Sequence, residues 1–365
     1  MNKTKEAYDE AIEVLKRTST KHGFFAAYPG YDAVWARDSM IISLGASLID
    51  KKFQNTFKQS IITLAKNQSH LGQIPNAVDK FSKRKHHVDY KSIDSSLWFI
   101  IGNYIYAKRY KDNSLLKKYK KQIEKAQLWI SYQDTGEDLM PEQQPTSDWF
   151  DAFPHRYGHT INTEALYYKS LILLGKTKEA KKIKEVVNKS KDDGLWNGNY
   201  YVSWRWKNHN KYKEIGDWFE SLGNLMTIVF DLADKKQSEK ILSYIKKNKI
   251  DQPYPIKTLY PAIKPKGKDW HDYFYDAGAT PYHYSNAGIW TYIGGFYVLA
   301  LIKQKKFKEA EKALEKIAEA NLKKPMFSEW LNGHTGEPSG GGGQGWNAGM
   351  YILAYESLKE KKVLL

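Results

Sequence analysis

SLWFIIGNYIYA, residues 96–107, followed by NSLLKKYKKQIEKAQLWISY, residues 113–132, decides the fold. The first segment is apolar around the whole of a helical wheel, so a helix made from it must be buried on every side. The second places apolar residues at three- and four-residue intervals and fills the rest with Lys, Glu and Gln, the pattern of a helix with one wet face. The same alternation recurs five more times. Lys-rich amphipathic segments cover 3–19, 54–67, 177–190, 235–247 and 306–322, and apolar ones cover 39–49, 164–175, 221–233, 290–302 and 347–358. Comparable points at Trp35, Asp94, His159, Asp217, Asn286 and Gln344 return roughly every 60 residues, the length of two helices with their loops. Six buried helices alternating with six half-buried ones predict an all-α (α/α)6 toroid, a six-hairpin barrel with an inner and an outer ring. No Pro/Gly/Ser linker divides the chain, so residues 1–365 read as a single domain.

Composition narrows the function. The chain holds 12 Trp, 26 Tyr and 14 Phe, more aromatic surface than a core needs, and many of these residues sit in loop-like stretches beside Gly, Asp and Asn. Flat aromatic faces that stack on sugar C–H surfaces, next to carboxylates and amides that take up hydroxyls, make a carbohydrate pocket. The formal charge of +16 suggests nucleic acid, but the lysines are interleaved with Glu at helical spacing and read as solvated outer faces. With no cysteine the chain has no disulfide, thiolate metal site or Cys nucleophile. The N-terminal stretch lacks an apolar signal region and no apolar run is long enough to span a bilayer, which reads as a cytoplasmic chain without a membrane partner.

The segments entering the inner helices are long, whereas the opposite connections are short, so one face of the ring is elaborate and carries the site. The entering segments are 28–38, 72–94, 141–164, 203–221, 278–290 and 327–346. Splitting a glycosidic bond needs one protonated carboxyl and one carboxylate, and the candidates in these segments are Asp38, Asp94, Asp148, Asp151, Asp217 and Glu329. Asp94 reads equally well as a helix cap and Asp38 as the partner of Arg37. Asp151 has the best context for a general acid, because Trp149, Phe150 and Phe153 can desolvate it and raise its pKa. Glu329, between Phe327 and Trp330, has the second best. GGGGQ at 340–344 lacks the lysine of a phosphate loop and reads as a flexible pocket rim. His155 and His159 are four apart but lie in a Pro-containing stretch without the glutamate of a zinc motif, so no metal and no organic cofactor is expected.

At these loops the chain resembles the glycogen-debranching (amylo-α-1,6-glucosidase) proteins, within the six-hairpin glycosidases that include glucoamylases and neutral/alkaline invertases. VWARDSM, GQIPN with SIDSSLWF, DWFDA, YHYSNAGIW, SEWLNGHTGEPSG and QGWNAGMY carry the resemblance in order along nearly the whole chain. It implies an exo-acting, inverting hydrolase of α-glucosidic linkages with Asp151 as general acid and Glu329 as general base. Trp35, Arg37 and Asp38 would line the subsite for the terminal sugar, with Tyr90, Asp94, His159 and Trp290 as further contacts. Trp149, Asp217, Trp330 and Gln344 complete the set of substrate-binding candidates. Residues 1–365 show no counterpart of the separate transferase domain of the long debranching proteins, so at most their glucosidase half is expected of them, and GDWFESLGNL, PIKTLYPAI and YHYSNAGIW also resemble the invertases, whose substrate is sucrose. A ring that binds carbohydrate without cleaving it is the remaining alternative.

Overall fold

The computed structural model describes residues 3–49, 51–79, 88–208 and 212–365. Six helices form the inner wall: α2 (Ala36–Ala46), α4 (Asp94–Tyr110), α6 (Ile161–Leu173), α8 (Ser221–Val229), α10 (Thr291–Lys303) and α12 (Gly345–Lys359). Alternating with them along the chain are α1 (Lys3–Thr18), α3 (Gln54–Lys66), α5 (Lys120–Ser131), α7 (Thr177–Val187), α9 (Lys235–Lys247) and α11 (Phe307–Asn321). Every residue of α2 and of α8 is buried, whereas α7 buries only Ala180, Ile183 and Val187 and turns its lysines outward. An aqueous face is thus given only to helices whose sequence has one. Local chemistry supports the outer helices too. In α9 the Asp234 carboxylate accepts from the Gln237 N–H, and the Gln237 side chain returns an acceptor to the Asp234 N–H, satisfying two otherwise orphaned donors.

Each inner helix packs on the next in the order α2, α4, α6, α8, α10, α12, and α12 packs back on α2. That cycle fits an (α/α) toroid rather than an open solenoid. The closing contact depends on two glycines. A Cβ on Gly45 of α2 would lie 1.8 Å from the Gly349 carbonyl oxygen of α12, and one on Gly349 would lie 2.6 Å from the Ile42 carbonyl oxygen, so only hydrogen lets the two backbones meet.

The fold is not purely helical. Strands β1 (Val202–Asn208) and β2 (Tyr212–Glu220) form an antiparallel hairpin, flanked by His159–Thr160 on β1 and Leu259–Tyr260 on β2. A second hairpin joins β3 (Ser328–Leu331) to β4 (Pro338–Gly342). Part of the glycine run expected to be a flexible rim, Gly340–Gly342, thus lies in a strand, with Gly342 paired to Ser328 and Gly340 and Gly341 opposite the register slip. The recurring points fall where inner helices begin: Trp35 and Gln344 are the N-cap residues of α2 and α12, and Asp94 opens α4. His159, Asp217 and Asn286 lie two to five residues before α6, α8 and α10. The entering segments thus gather at one end of the ring. Parts of two of them, 80–87 and 209–211, lie outside the described residues.

Candidate active site

Four of the six entering segments build the rim and walls of one cavity. Trp35, Arg37 and Asp38 come from the start of α2, Trp149 and Asp151 from the loop before α6, Trp290 from the N-cap of α10, and Glu329 and Gln344 from the last segment. Tyr31, Tyr284 and Trp346 also line it and were not singled out from sequence. Each lies within a quoted segment, yet an aromatic residue in a loop serves packing as readily as a pocket, so nothing in its immediate neighbours distinguishes it.

Half of the lining residues are aromatic. Trp290 meets Trp149, Tyr284 and Trp346 edge to face at 6.2, 5.3 and 5.4 Å between ring centroids, and Tyr31 meets Trp35 in the same way at 6.4 Å. The indole N–H groups of Trp35, Trp149 and Trp346, the Gln344 amide N–H and the Arg37 Nε–H are buried and have no hydrogen-bond partner among the described residues. A buried donor left unpaired is unfavourable by about 1–3 kcal/mol, and five of them belong to residues that line this cavity.

Beneath the pocket lies a buried ionic floor. Arg37 Nη1 donates to Asp94 Oδ2 at 2.7 Å, with both side chains almost wholly buried, and Ser92 donates to the other Asp94 oxygen. Among the described residues Asp94 is thus joined to the pocket through Arg37. Desolvation pushes the Asp38 carboxyl up to about 6, against the pull of the neighbouring Arg37.

Asp148 and Asp151 are three residues apart and behave differently. Asp148 is buried, pairs with Arg156, and accepts the Phe150 N–H at 3.0 Å and the Asn162 amide at 3.4 Å. Arg156 in turn lies over the Phe150 ring, 4.7 Å from its centroid. These contacts anchor the DWFDA loop and leave Asp151 open to the cavity. Desolvation raises the Asp151 carboxyl; Arg37 opposes this, and the Asp148 and Asp94 carboxylates reinforce it. The Glu329 carboxyl is also raised by burial, but its neighbours oppose the shift: the Gly341 N–H donates to Oε2 at 3.2 Å, the Tyr31 hydroxyl donates to Oε1 at 3.3 Å, and Lys324 adds positive charge. Glu329 sits where the β3–β4 register slips between Ser328 and Trp330, a bulge that re-aims the side chain. Gly340 permits the approach, because a Cβ there would lie 2.4 Å from Glu329 Oε2. Asp151 thus stands near one guanidinium and two carboxylates, Glu329 among hydrogen-bond donors, and burial raises both carboxyls.

Several expected contacts lie elsewhere. Tyr90 turns away and donates to the Asn67 carbonyl at 2.6 Å. His159 is buried in a separate cluster, with Nε2 3.2 Å from Asp138 and 3.8 Å from Glu142. Asp217 is held by Lys191 and by the Asn197 amide at 3.0 Å. In each case a nearby polar partner captures the side chain. Trp330 packs behind the site, edge to face with His283 and Tyr284 at 5.8 and 6.3 Å. His155 does not face His159; its ring stacks on His271 at 3.5 Å. Among the described residues no cluster of His, Asp and Glu has the arrangement of a metal site.

Glu220, the N-cap of α8, is buried below the ring entrance, accepts the Gly223 N–H at 2.8 Å, and is pushed up to about 7 by burial, with Arg156 opposing. A raised carboxyl pKa makes the folded state bind the proton more tightly, so this stabilisation is complete below the unfolded value near 4.5 and is lost as pH rises through about 7. Glu220→Gln should therefore flatten the fall in stability between pH 5 and 8, measured by urea unfolding. An unchanged pH slope would show that Glu220 is ionised throughout.

The family described as alkaline and neutral invertase matches residues 214–361. Over 121 residues the chain is 35% identical to neutral/alkaline invertase 1, mitochondrial, of Oryza sativa subsp. japonica, covering 32% of this chain and 19% of that protein. Over 122 residues it is 32% identical to the probable alkaline/neutral invertase A, chloroplastic, of Arabidopsis thaliana, covering 33% and 19%. These matches thus span about a fifth of each relative's length. Among solved structures, the GH63 mannosylglycerate hydrolase from Thermus thermophilus in complex with Tris and D-glycerate superposes with a TM-score of 0.74 at 12% identity, over 95% of this chain and 99% of that one. An uncharacterized conserved protein from the same organism gives 0.72 at 13%, over 95% and 98%. The matched span of sequence contains Trp290, Glu329 and Gln344 but stops short of Asp151 and the Arg37–Asp94 floor. The chain therefore has the helical-ring fold of the GH63 mannosylglycerate hydrolase and, over residues 214–361, resembles the alkaline and neutral invertases in sequence.

Proposed function

We propose that the chain is a single-domain glycoside hydrolase that removes a terminal sugar from an α-glucoside with inversion. The observation that carries this reading is the joining of two carboxyls, Asp151 and Glu329, to a cluster of unpaired N–H donors on aromatic walls. A pyranose supplies C–H faces for the rings and hydroxyl oxygens for the donors, while Asp38 accepts a hydroxyl proton. Asp151 donates its proton to the glycosidic oxygen as the C–O bond breaks. Glu329 takes a proton from the water that attacks the anomeric carbon, and the product leaves with inverted configuration. Both carboxyls then exchange protons with solvent and the cycle repeats. No cofactor enters this scheme. Carbohydrate is the proposed partner, without nucleic acid, and a cytoplasmic setting is proposed with it; no described helix is long and apolar enough to cross a membrane.

Two substrates fit the reading. An α-1,6-linked branch glucose follows from the order of the loop motifs, and sucrose from the invertase match over 214–361. Free-sugar release from isomaltose, panose, maltotriose, sucrose and trehalose separates them. The anomeric form of the first product, read by proton NMR, tests inversion. Retention of configuration would overturn the acid–base assignment, and binding without cleavage of any sugar would leave a carbohydrate-binding protein.

Tyr31→Phe removes a donor that favours the Glu329 carboxylate. Losing a hydrogen bond to a charged group should lower kcat/KM about tenfold. Because the base acts ionised, its pKa must rise in the variant and the acidic limb of the pH profile must move to higher pH. A loss of activity with no movement of that limb would assign Tyr31 to substrate contact instead.

A further inference from the structure

The segment 149–155 has two sides. Trp149 and Asp151 face the pocket already described, whereas Phe153 and His155 line a second, open groove of about 780 Å³ between the β1–β2 hairpin and residues 263–274. His155, His271 and Tyr273 form a parallel stack, with ring planes within 10° of one another and centroids 3.5 to 5.6 Å apart. Trp204 and Trp218 contribute further aromatic wall. The charged side chains of Lys268 and Asp269 also line the groove. Flat ring faces beside charged groups that can take up hydroxyls suit a sugar for the same reason the first pocket does.

We infer that this groove is the subsite for the leaving part of the substrate, so that the substrate class is an oligosaccharide longer than a disaccharide. The inference rests on the hydrolase reading. A general acid must stand on the side of the bond from which the leaving group departs, because it protonates that group's oxygen. The groove is on the acid's own loop, and four extended residues reach at most about 14 Å, so His155 lies within the span of a short oligosaccharide leaving past Asp151. Desolvation and the neighbouring His155 lower the His271 pKa, against Asp269 and Asp272, which favours the neutral ring. The two substrate readings now differ: sucrose has no third unit to place in the groove.

The test uses pairs that differ by one unit on the leaving side, isomaltose against panose and sucrose against 1-kestose. In the full chain kcat/KM should favour the longer member of the cleaved pair by about fivefold or more, the scale of one aromatic contact. Tyr273→Ala and Lys268→Ala should each pull that ratio towards one. An equal rate on both members, or a ratio unmoved by both variants, overturns the inference and leaves the hydrolase reading standing. If no sugar of either pair, nor maltotriose or trehalose, is cleaved, the hydrolase reading fails, and tryptophan-fluorescence titration with maltotriose decides the site alone. Binding weakened about fivefold or more by both variants supports the groove, and binding that is absent or insensitive to them refutes it.

Discussion

Asp151→Asn should cleave an unactivated glucoside about 10²- to 10⁴-fold more slowly than the parent chain, and a 4-nitrophenyl α-glucoside less than about tenfold more slowly. The difference follows from what a general acid does. A sugar alkoxide cannot leave water-like surroundings unprotonated, so the natural leaving group needs the Asp151 proton. Nitrophenolate is a stable anion and needs little help. Asparagine keeps the size of the side chain and the loop anchored by Asp148 and Arg156. The descending limb of the pH profile, which arises as the acid loses its proton, should vanish for the aryl substrate in the variant. Glu329→Gln should instead slow both substrates alike, because activation of water is needed whatever leaves. Equal losses on both substrates in Asp151→Asn would remove it from the acid's role and turn attention to Asp38, a further raised carboxyl on the pocket wall.

The twelve helices were legible because burial constrains composition most strongly where nothing else intervenes. SMIISLGASLI and SLGNLMTIVFDLA can only be enclosed, and the lysines of 177–187 can only be outside. The strands were not legible. Residues 202–220 read as a loop, although β1 and β2 pair with each other locally and only their short outer partners, 159–160 and 259–260, lie more than 35 residues away. The site divides in a similar way. Trp35, Arg37, Asp38, Trp149, Asp151, Trp290, Glu329 and Gln344 converge because each lies at the start of an inner helix or in the segment that enters one, and the hairpin repeat brings those segments together. Tyr90, His159 and Asp217 stand at comparable places but are captured by Asn67, Asp138 and Lys191, partners that become neighbours only after folding. The bulge that aims Glu329 and the close approach of Gly340 likewise depend on strand register, which the glycine run does not reveal.

Arg37→Leu should destabilise the fold by about 3–5 kcal/mol, and the double variant Arg37→Leu/Asp94→Leu by clearly less than the sum of the two single changes. Arg37 and Asp94 are both buried at the junction of α2 and α4, where the pair's attraction offsets the desolvation of each ion. Removing the guanidinium alone leaves the Asp94 carboxylate, whose own pKa burial already raises, without its counter-charge. Removing both replaces a paired charge with apolar surface next to helices that are apolar on every face. The pH dependence has a definite sign. Without Arg37 the Asp94 carboxyl is raised further, so the penalty is full where Asp94 would be ionised and shrinks as pH falls and the carboxyl takes up a proton. Guanidinium unfolding of the two single variants and the double variant at pH 5 and pH 8 measures all of this. Additive losses that do not change with pH would show that the two side chains are not energetically coupled. The floor would then be a matter of packing, and the field that Arg37 exerts on Asp151 would need another source.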